Sequence, residues 1–525
     1  MLRTMYKKKL NLLFIAMIVP ILAMIFSSCT GDLNTNPIDK KIVTSASAYK
    51  TPTDYEQILA KLYAGFATTG QQGPAGEPDI QGIDEGSSSY LREYFVAQEL
   101  PTDEAVIAWN DPGLPQFNYQ SWGASNDFVM GMYDRIYYEI TLANEFISHA
   151  EKSNNSTIKE YMAEARFVRA FCYWNALDFY GGGVPFVTAK SGIGSYQPKP
   201  ISKDSLFNYI HSELVAIAPQ LPAPHQNQYG RVDRAAAWTL LARLDLNSEV
   251  YTGKKRYTEA ITYCNKIINA GYTLDPSYQH LFEADNNTAK GIIWAVPFDG
   301  VHTKTYGGTN FIIHAEVGGN MNPSNFGIDG GWAGLRVTPQ FVDKFDQQKD
   351  SRAMFYTNGQ TKDIKDVQNF KDGYAVTKWT NMTSTGKPGK NPSFADTDFP
   401  VFRLADVYLI YAESVLRGGS GGSVSQAVKL INKIRERAYG GTSGDITQSQ
   451  LTLKFILNER ARELYWEGYR RTDLIRFHDL TGSNYVWSWK GDVQQGTGTS
   501  SIYKLFPIPT SDLSANPNLK QNPGY

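Results

Sequence analysis

Residues 396–421 read DTDFPVFRLADVYLIYAESVLRGGSG, and their spacing decides the class of fold. After Pro400 the apolar residues Leu404, Val407, Tyr408, Tyr411 and Val415 recur at steps of three and four, which predicts a helix over 400–417 with one buried face. The glycine-rich run Gly418 to Gly422 follows this helix and precedes another, so it reads as a flexible turn and not as a phosphate cradle. In the next helix, Ala427, Ile431 and Ile434 repeat the spacing of Ala260, Cys264 and Ile267. Each set follows an aromatic-rich helix, and Trp238, Leu241 and Ala242 fit the first member of such a pair. That is the pattern of tetratricopeptide hairpins, although the same small-large alternation packs any antiparallel helical pair.

Working outward, helical periods are expected near 53–66, 127–150, 157–179, 203–217, 233–249, 255–270, 423–438 and 450–468. The expected class is therefore all-α, predominantly helical. Hairpins that pack on their neighbours allow one body to exceed the usual domain size, so 46–525 reads as a single domain. Two long loops, 68–126 and 285–399, break the helical scaffold and are expected to carry the ligand site. Stretches of that length are usually functional or disordered, and their aromatics, among them Tyr90, Trp109, Trp122, Tyr306, Trp332 and Trp379, argue against disorder.

The chain opens with Arg3 and Lys7 to Lys9, then an apolar run from Leu10 to Phe26, then Ser27, Ser28 and Cys29. Charge, apolar run and small residues in that order predict a signal peptide over 1–28. The run contains Pro20 and is shorter than the roughly 20 residues a spanning helix needs. A cysteine directly after two serines points to lipoprotein processing: Cys29 becomes the lipidated first residue, acyl chains anchor the protein, and polar residues 29–45 form a flexible tether. An ordinary cleaved signal with a coincidental cysteine is the alternative.

Lys plus Arg (51) and Asp plus Glu (52) nearly cancel, which argues against a nucleic-acid partner. The other two cysteines, Cys172 and Cys264, sit in apolar helical surroundings and read as buried free thiols. Catalytic signatures such as H-E-x-x-H and the Walker loop are absent, and the glycine-rich turn at 418–422 follows a helix and not the strand a nucleophile elbow needs. The seven histidines are scattered, which leaves a helical zinc site unsupported. Adjacent carboxylates such as Asp84 with Glu85 say nothing about the separation a glycosidase requires, so the expectation is a protein that is not an enzyme.

Four stretches together resemble the SusD family of outer-membrane glycan-binding lipoproteins: AEARFVRAFCYWNALDFYGGGVPF (163–186), residues 396–421 quoted above, ILNERARELYWEGYRRTDLIRF (456–477) and KLFPIPTSDLSANPNLKQNPGY (504–525). The resemblance implies a SusD-like helical scaffold with tetratricopeptide-type hairpins. It also implies delivery of glycan to a SusC-type, TonB-dependent transporter, from the outer face of the outer membrane. The charges in these stretches, Glu164, Arg166, Arg169, Glu459, Arg462, Glu463, Arg470 and Arg471, read as ion pairs joining packed helices.

Within the long stretches the likeness narrows to starch binding, through DIQGIDEGSSSYLREYF (79–95), AQELPTDEAVIAWN (97–110), DGVHTKTYGGTNF (299–311) and the Trp332 region. It implies α-glucan oligosaccharides as ligand, with Trp109, Tyr306 and Trp332 as stacking rings and Asp84 and Arg92 as hydrogen-bonding partners. Asn110 and Asp111 are both candidates for a further polar partner. These residue types suit a sugar independently of the likeness: flat rings take the C–H face of a pyranose, and charged or amide groups take its hydroxyl rim. Another glycan, or less favourably a surface glycoside hydrolase, stands as the alternative. No cofactor is required by this reading; likeness to calcium-carrying relatives implies that Asp285, Asp396 and Asp398 are candidates for a structural calcium, against solvated acids or helix caps. Trp122, Trp379, Trp487 and Trp489 read as packing residues.

Overall fold

The computed structural model describes residues 48–74, 76–191 and 197–525. The signal segment 1–28, Cys29 and the tether 29–45 lie outside the described residues. The first part of the described chain forms α1 (Pro52–Ala67), α2 (Tyr90–Glu99), β1 (Val106–Ile107), α3 (Pro115–Tyr119), α4 (Asp127–Ala150), α5 (Ser156–Tyr180), α6 (Lys203–Ile217), α7 (Arg234–Leu246), α8 (Ser248–Thr252) and α9 (Tyr257–Ile268). There follow β2 (Ile292–Val296), α10 (Gly308–Glu316), β3 (Leu335–Arg336), α11 (Pro339–Val342), β4 (Phe355–Tyr356), β5 (Ala375–Val376), β6 (Phe399–Arg403), α12 (Leu404–Leu416), α13 (Val424–Tyr439), α14 (Leu453–Leu464), α15 (Arg470–Arg476) and α16 (Thr510–Ala515).

Side chains cap the long helices at their expected starts: Asn126 accepts the N–H groups of Phe128 and Val129 at α4, and Asn155 does the same for Thr157 and Ile158 at α5. These bonds satisfy donors that the first helical turn leaves open. Each helix then packs on the next in a continuous layer: α4 on α5, α5 on α6, α6 on α7, α7 on α9, α9 on α12, and α12 on both α13 and α14. Ala260, Cys264 and Ile267 of α9 and Ala427, Ile431 and Ile434 of α13 are all fully buried in these contacts. Cys172 and Cys264 are buried free thiols.

Tyr55–Tyr525 form one compact unit. Of the preceding unit, Met1–Asp54, residues 48–54 are described; there the Asp54 carboxylate accepts the Thr51 N–H (2.8 Å). No helix among the described residues is long and apolar enough to cross a membrane.

Three expectations are corrected. Residues 400–403 are not helical: Phe399–Arg403 is a strand, buried throughout and antiparallel to β2, and the helix starts only at Leu404, where the helical period itself begins. The helix expected to 468 ends at Leu464, because Tyr465 is extended and Trp466 takes a positive φ of 61°. The stretches 68–126 and 285–399 are not plain loops, since they contain α2 and α10, both wholly buried.

The charged residues read as ion pairs are paired. Glu164 meets Arg231, Arg166 and Arg169 share Glu213, and Arg471 meets Asp178. Glu459 and Glu463 of α14 are each bound by Arg352, whose other partner is Asp350. Arg462 also holds Glu459, and Arg470 binds Asp103 at 2.7 Å. Burying a charged side chain is costly unless it is paired or hydrogen-bonded.

Candidate functional site

The two halves of the site come from α2 and from the β1–β3 ribbon. Ser89 caps α2 by accepting the Arg92 N–H (3.3 Å). The preceding loop is held by Arg135 of α4, which donates to the carbonyl groups of Ser88 and Thr69, and by Asp84, whose carboxylate accepts the Ser87 N–H (2.8 Å). Asp84 is exposed, whereas Arg92, three residues past the cap Ser89, is buried.

Trp109 and Trp332 lie far apart in sequence and are brought together by the antiparallel pairing of Val106 with Arg336 and Ile107 with Leu335. The ladder continues as the Ala108 N–H donates to the Gly334 carbonyl (2.9 Å). The Trp109 indole N–H donates to the Trp332 carbonyl at 3.0 Å. Gly334 has a specific reason to be glycine: a Cβ there would stand 2.7 Å from Cε2 of the Trp109 indole.

Trp332 is fixed from behind by α10. Its N–H donates to the His314 carbonyl (2.7 Å), and its ring stacks on the His314 imidazole at 4.7 Å and 25°. The His314 Nδ1 is 2.7 Å from the Gly330 carbonyl; a carbonyl only accepts, so Nδ1 carries the proton. Burial pulls the His314 pKa below its usual value, which favours that neutral form. On the other side stands Tyr306, 37 % exposed and backed by Phe394 at 5.7 Å.

Three rings thus stand in a row, each turned against the next. Trp109 and Trp332 are 6.3 Å apart at 46°, and Trp332 and Tyr306 are 6.3 Å apart at 61°. Neighbouring rings are therefore not coplanar. Beside it opens a cleft of about 540 Å³, a size typical of small-ligand sites, lined by Asp84, Arg92, Asp111, Tyr306 and Trp332 together with the 82–88 loop and the start of α4. The Arg92 guanidinium donates from Nη1 to the Gly86 carbonyl (3.0 Å) and lies over the Phe311 ring at 4.5 Å. Burial lowers its pKa, while Glu93, Asp111 and Asp84 oppose that shift.

Of the seven residues expected at the site, five line this cleft and Trp109 flanks it through Trp332. Asn110 is exposed and does not line the cleft; its neighbour Asp111 does. Phe311, His314 and Glu93 escaped the sequence reading. The first two sit three residues apart on α10, a helix inside a stretch read as loop, and that spacing was the available signal. Trp122, Trp379 and Trp487 are buried, and the Trp489 indole N–H donates to the Ile364 carbonyl (2.9 Å).

Among the described residues, Asp285, Asp396 and Asp398 do not gather into one metal-ligating cluster, and one oxygen of Asp396 is buried without a hydrogen-bond partner. Both oxygens of Asp398 are engaged, by the Phe298 N–H (2.7 Å) and the Tyr229 hydroxyl (2.6 Å). Both oxygens of Asp285 accept from Ser384, and one oxygen of Asp396 accepts the Lys390 N–H (2.9 Å). Among the described residues Asp285 instead groups with His280 and Glu283, a mixed nitrogen-oxygen set unlike the six to eight oxygens calcium takes.

A helical scaffold carrying an aromatic row beside a polar cleft defines a class of ligand-binding proteins, and comparison with known proteins places the chain within it. Residues 350–525 match the SusD family, and residues 39–246 match the family described as "Starch-binding associating with outer membrane". The chain belongs to the SusD family. It is 34 % identical to the starch-binding protein SusD of Bacteroides thetaiotaomicron over 99 % of this chain and all of that one. It is 24 % identical to the SusD-like protein P25 of Formosa agariphila, across 96 % of this chain and 98 % of the relative. Among solved structures, surface glycan-binding protein A from Bacteroides fluxus superposes with a TM-score of 0.70 at 22 % identity, covering 90 % of this chain and 100 % of that one. The protein of that name from Bacteroides thetaiotaomicron, solved in complex with laminarihexaose, gives a TM-score of 0.70 at 19 % identity over 90 % of this chain and 100 % of its own. At those identities the likeness speaks for the fold.

Proposed function

We propose that this protein captures α-glucan chains, starch and malto-oligosaccharides, at the cell surface without cleaving them. The observation that carries the reading is the turned row of Trp109, Trp332 and Tyr306. A glucan helix presents successive sugar faces at an angle to one another, and rings that turn from one to the next can follow that curve where a flat row would follow a straight chain. Arg92, Asp84 and Asp111 supply charged partners for the hydroxyl rim. The starch-binding name of the relative at 34 % identity supports the same ligand.

Each ring contributes about 1 kcal/mol beyond area burial, while every hydroxyl bound first loses its water. The resulting dissociation constant is on the order of 0.01–1 mM for a single site, weak enough for cargo to be released. The proposal extends to a lipid anchor at Cys29, an outward-facing position on the outer membrane, and hand-over to a SusC-type, TonB-dependent transporter.

Native electrophoresis through gels containing starch tests the ligand. The body from Thr30 onward should be retarded by starch and by amylose-type oligosaccharides, and not by a straight β-linked glucan; equal retardation by both would sink the α-glucan assignment. Incubation of the same protein with starch should release no reducing ends. Radiolabelled palmitate should label the full chain in cells and not its Cys29→Ala variant.

A further inference from the structure

The cleft has a second wall that the three rings do not form. The first turns of α4 line it through Asp127, Phe128, Met130 and Gly131, and Glu93 of α2 faces them. A Cβ on Gly131 would stand 2.7 Å from Oε1 of Glu93, so the carboxyl lies against bare helix backbone. Glycine inside a helix costs about 1 kcal/mol relative to alanine. Here it makes room for an acid.

Glu93 is only 2 % exposed, yet its carboxyl borders the cleft and has no hydrogen bond or ion pair among the described residues. The charges acting on it are Arg92 on its own helix, Arg135 and Asp127 on α4, and Asp84 on the loop. Burial pushes its pKa well up, which favours the uncharged acid, with one O–H to donate and oxygens to accept. A sugar hydroxyl has the matching pair of roles. The lining acids Asp84, Asp111 and Asp127 stand against one lining cation, Arg92, which favours a neutral sugar over a uronate or sulfated one.

We propose that Glu93 is a ligand-binding residue, holding the hydroxyl rim of a neutral pyranose unit seated against the start of α4 while the rings hold its neighbours. This rests on the glycan reading above. It adds a polar contact on a wall that the aromatic row leaves untouched.

The test is calorimetric titration of wild type, Glu93→Gln and Glu93→Leu with maltoheptaose, with folding followed by circular dichroism. Glutamine keeps a neutral donor and acceptor and should bind within about threefold of wild type; leucine should weaken binding about tenfold or more. Leucine binding as tightly as wild type would overturn the role of Glu93 and leave the glycan reading standing. No binding by wild type would overturn both. A pH series gives a readout that loss of folding does not imitate: wild-type affinity should weaken as rising pH ionises the acid, and Glu93→Gln should stay flat. Parallel profiles would contradict the proposal.

Discussion

At the scale of single residues, the site depends on small side chains as much as on rings. Gly334 lies against the Trp109 indole, and a methyl group there would meet it at 2.7 Å. Gly334→Ala should therefore displace Trp109 and weaken maltoheptaose binding about tenfold, with little change in the far-ultraviolet dichroism. An unchanged affinity would show that Trp109 is not held for ligand. The scaffold holds a second unpaired acid. Both carboxyl oxygens of Glu139 lack partners, and burial pushes its pKa up to about 8. That is above the unfolded value of about 4.3, so the folded protein retains a proton that the unfolded chain releases, and stability falls as pH rises from about 4 to 8. Thermal melts across that range should fall less steeply for Glu139→Gln than for wild type. The rings and polar partners were expected from the resemblance to the SusD family and not from residue type alone, and five of those residues line the cleft. Glu93 was not, because nothing local distinguishes an acid facing a cleft from one paired in a core.

At the scale of elements, helices with a clean one-sided period were legible almost to the residue: 127–150 was expected and Asp127–Ala150 is formed. Segments buried on all sides were not. Every residue of α2 and α10 is buried, so neither shows the alternation by which a surface helix declares itself. The short strand Phe399–Arg403 was read as helix because its apolar residues run directly into the helical period of α12. What joins these elements is charge. Arg352 binds Asp350, Glu459 and Glu463 with all four side chains buried, and Arg403 of β6 and Arg437 of α13 reach the same Glu463. Removing one partner strands the others, so Arg352→Ala should cost about 3–5 kcal/mol in urea unfolding. Despite burial, its arginine partners hold Glu463 down to about 2. Its contribution is therefore present above the unfolded value of about 4.3 and should be lost on acidification toward pH 2.

At the scale of the whole molecule, the helical layer carries the candidate site, whose rings come from two segments far apart in sequence. Their meeting at the β1–β3 ribbon could not be read from either segment alone, although a common chemistry linked them. We take the row formed by Trp109, Trp332 and Tyr306 to be the binding surface for curved α-glucan. Isothermal titration of the body with maltoheptaose, wild type beside Trp332→Ala, tests it most directly. Binding in the 0.01–1 mM range that weakens about tenfold or more in the variant, with an unchanged melting curve, is the predicted result. Equal binding by both proteins would contradict the claim and move the glucan elsewhere on the molecule.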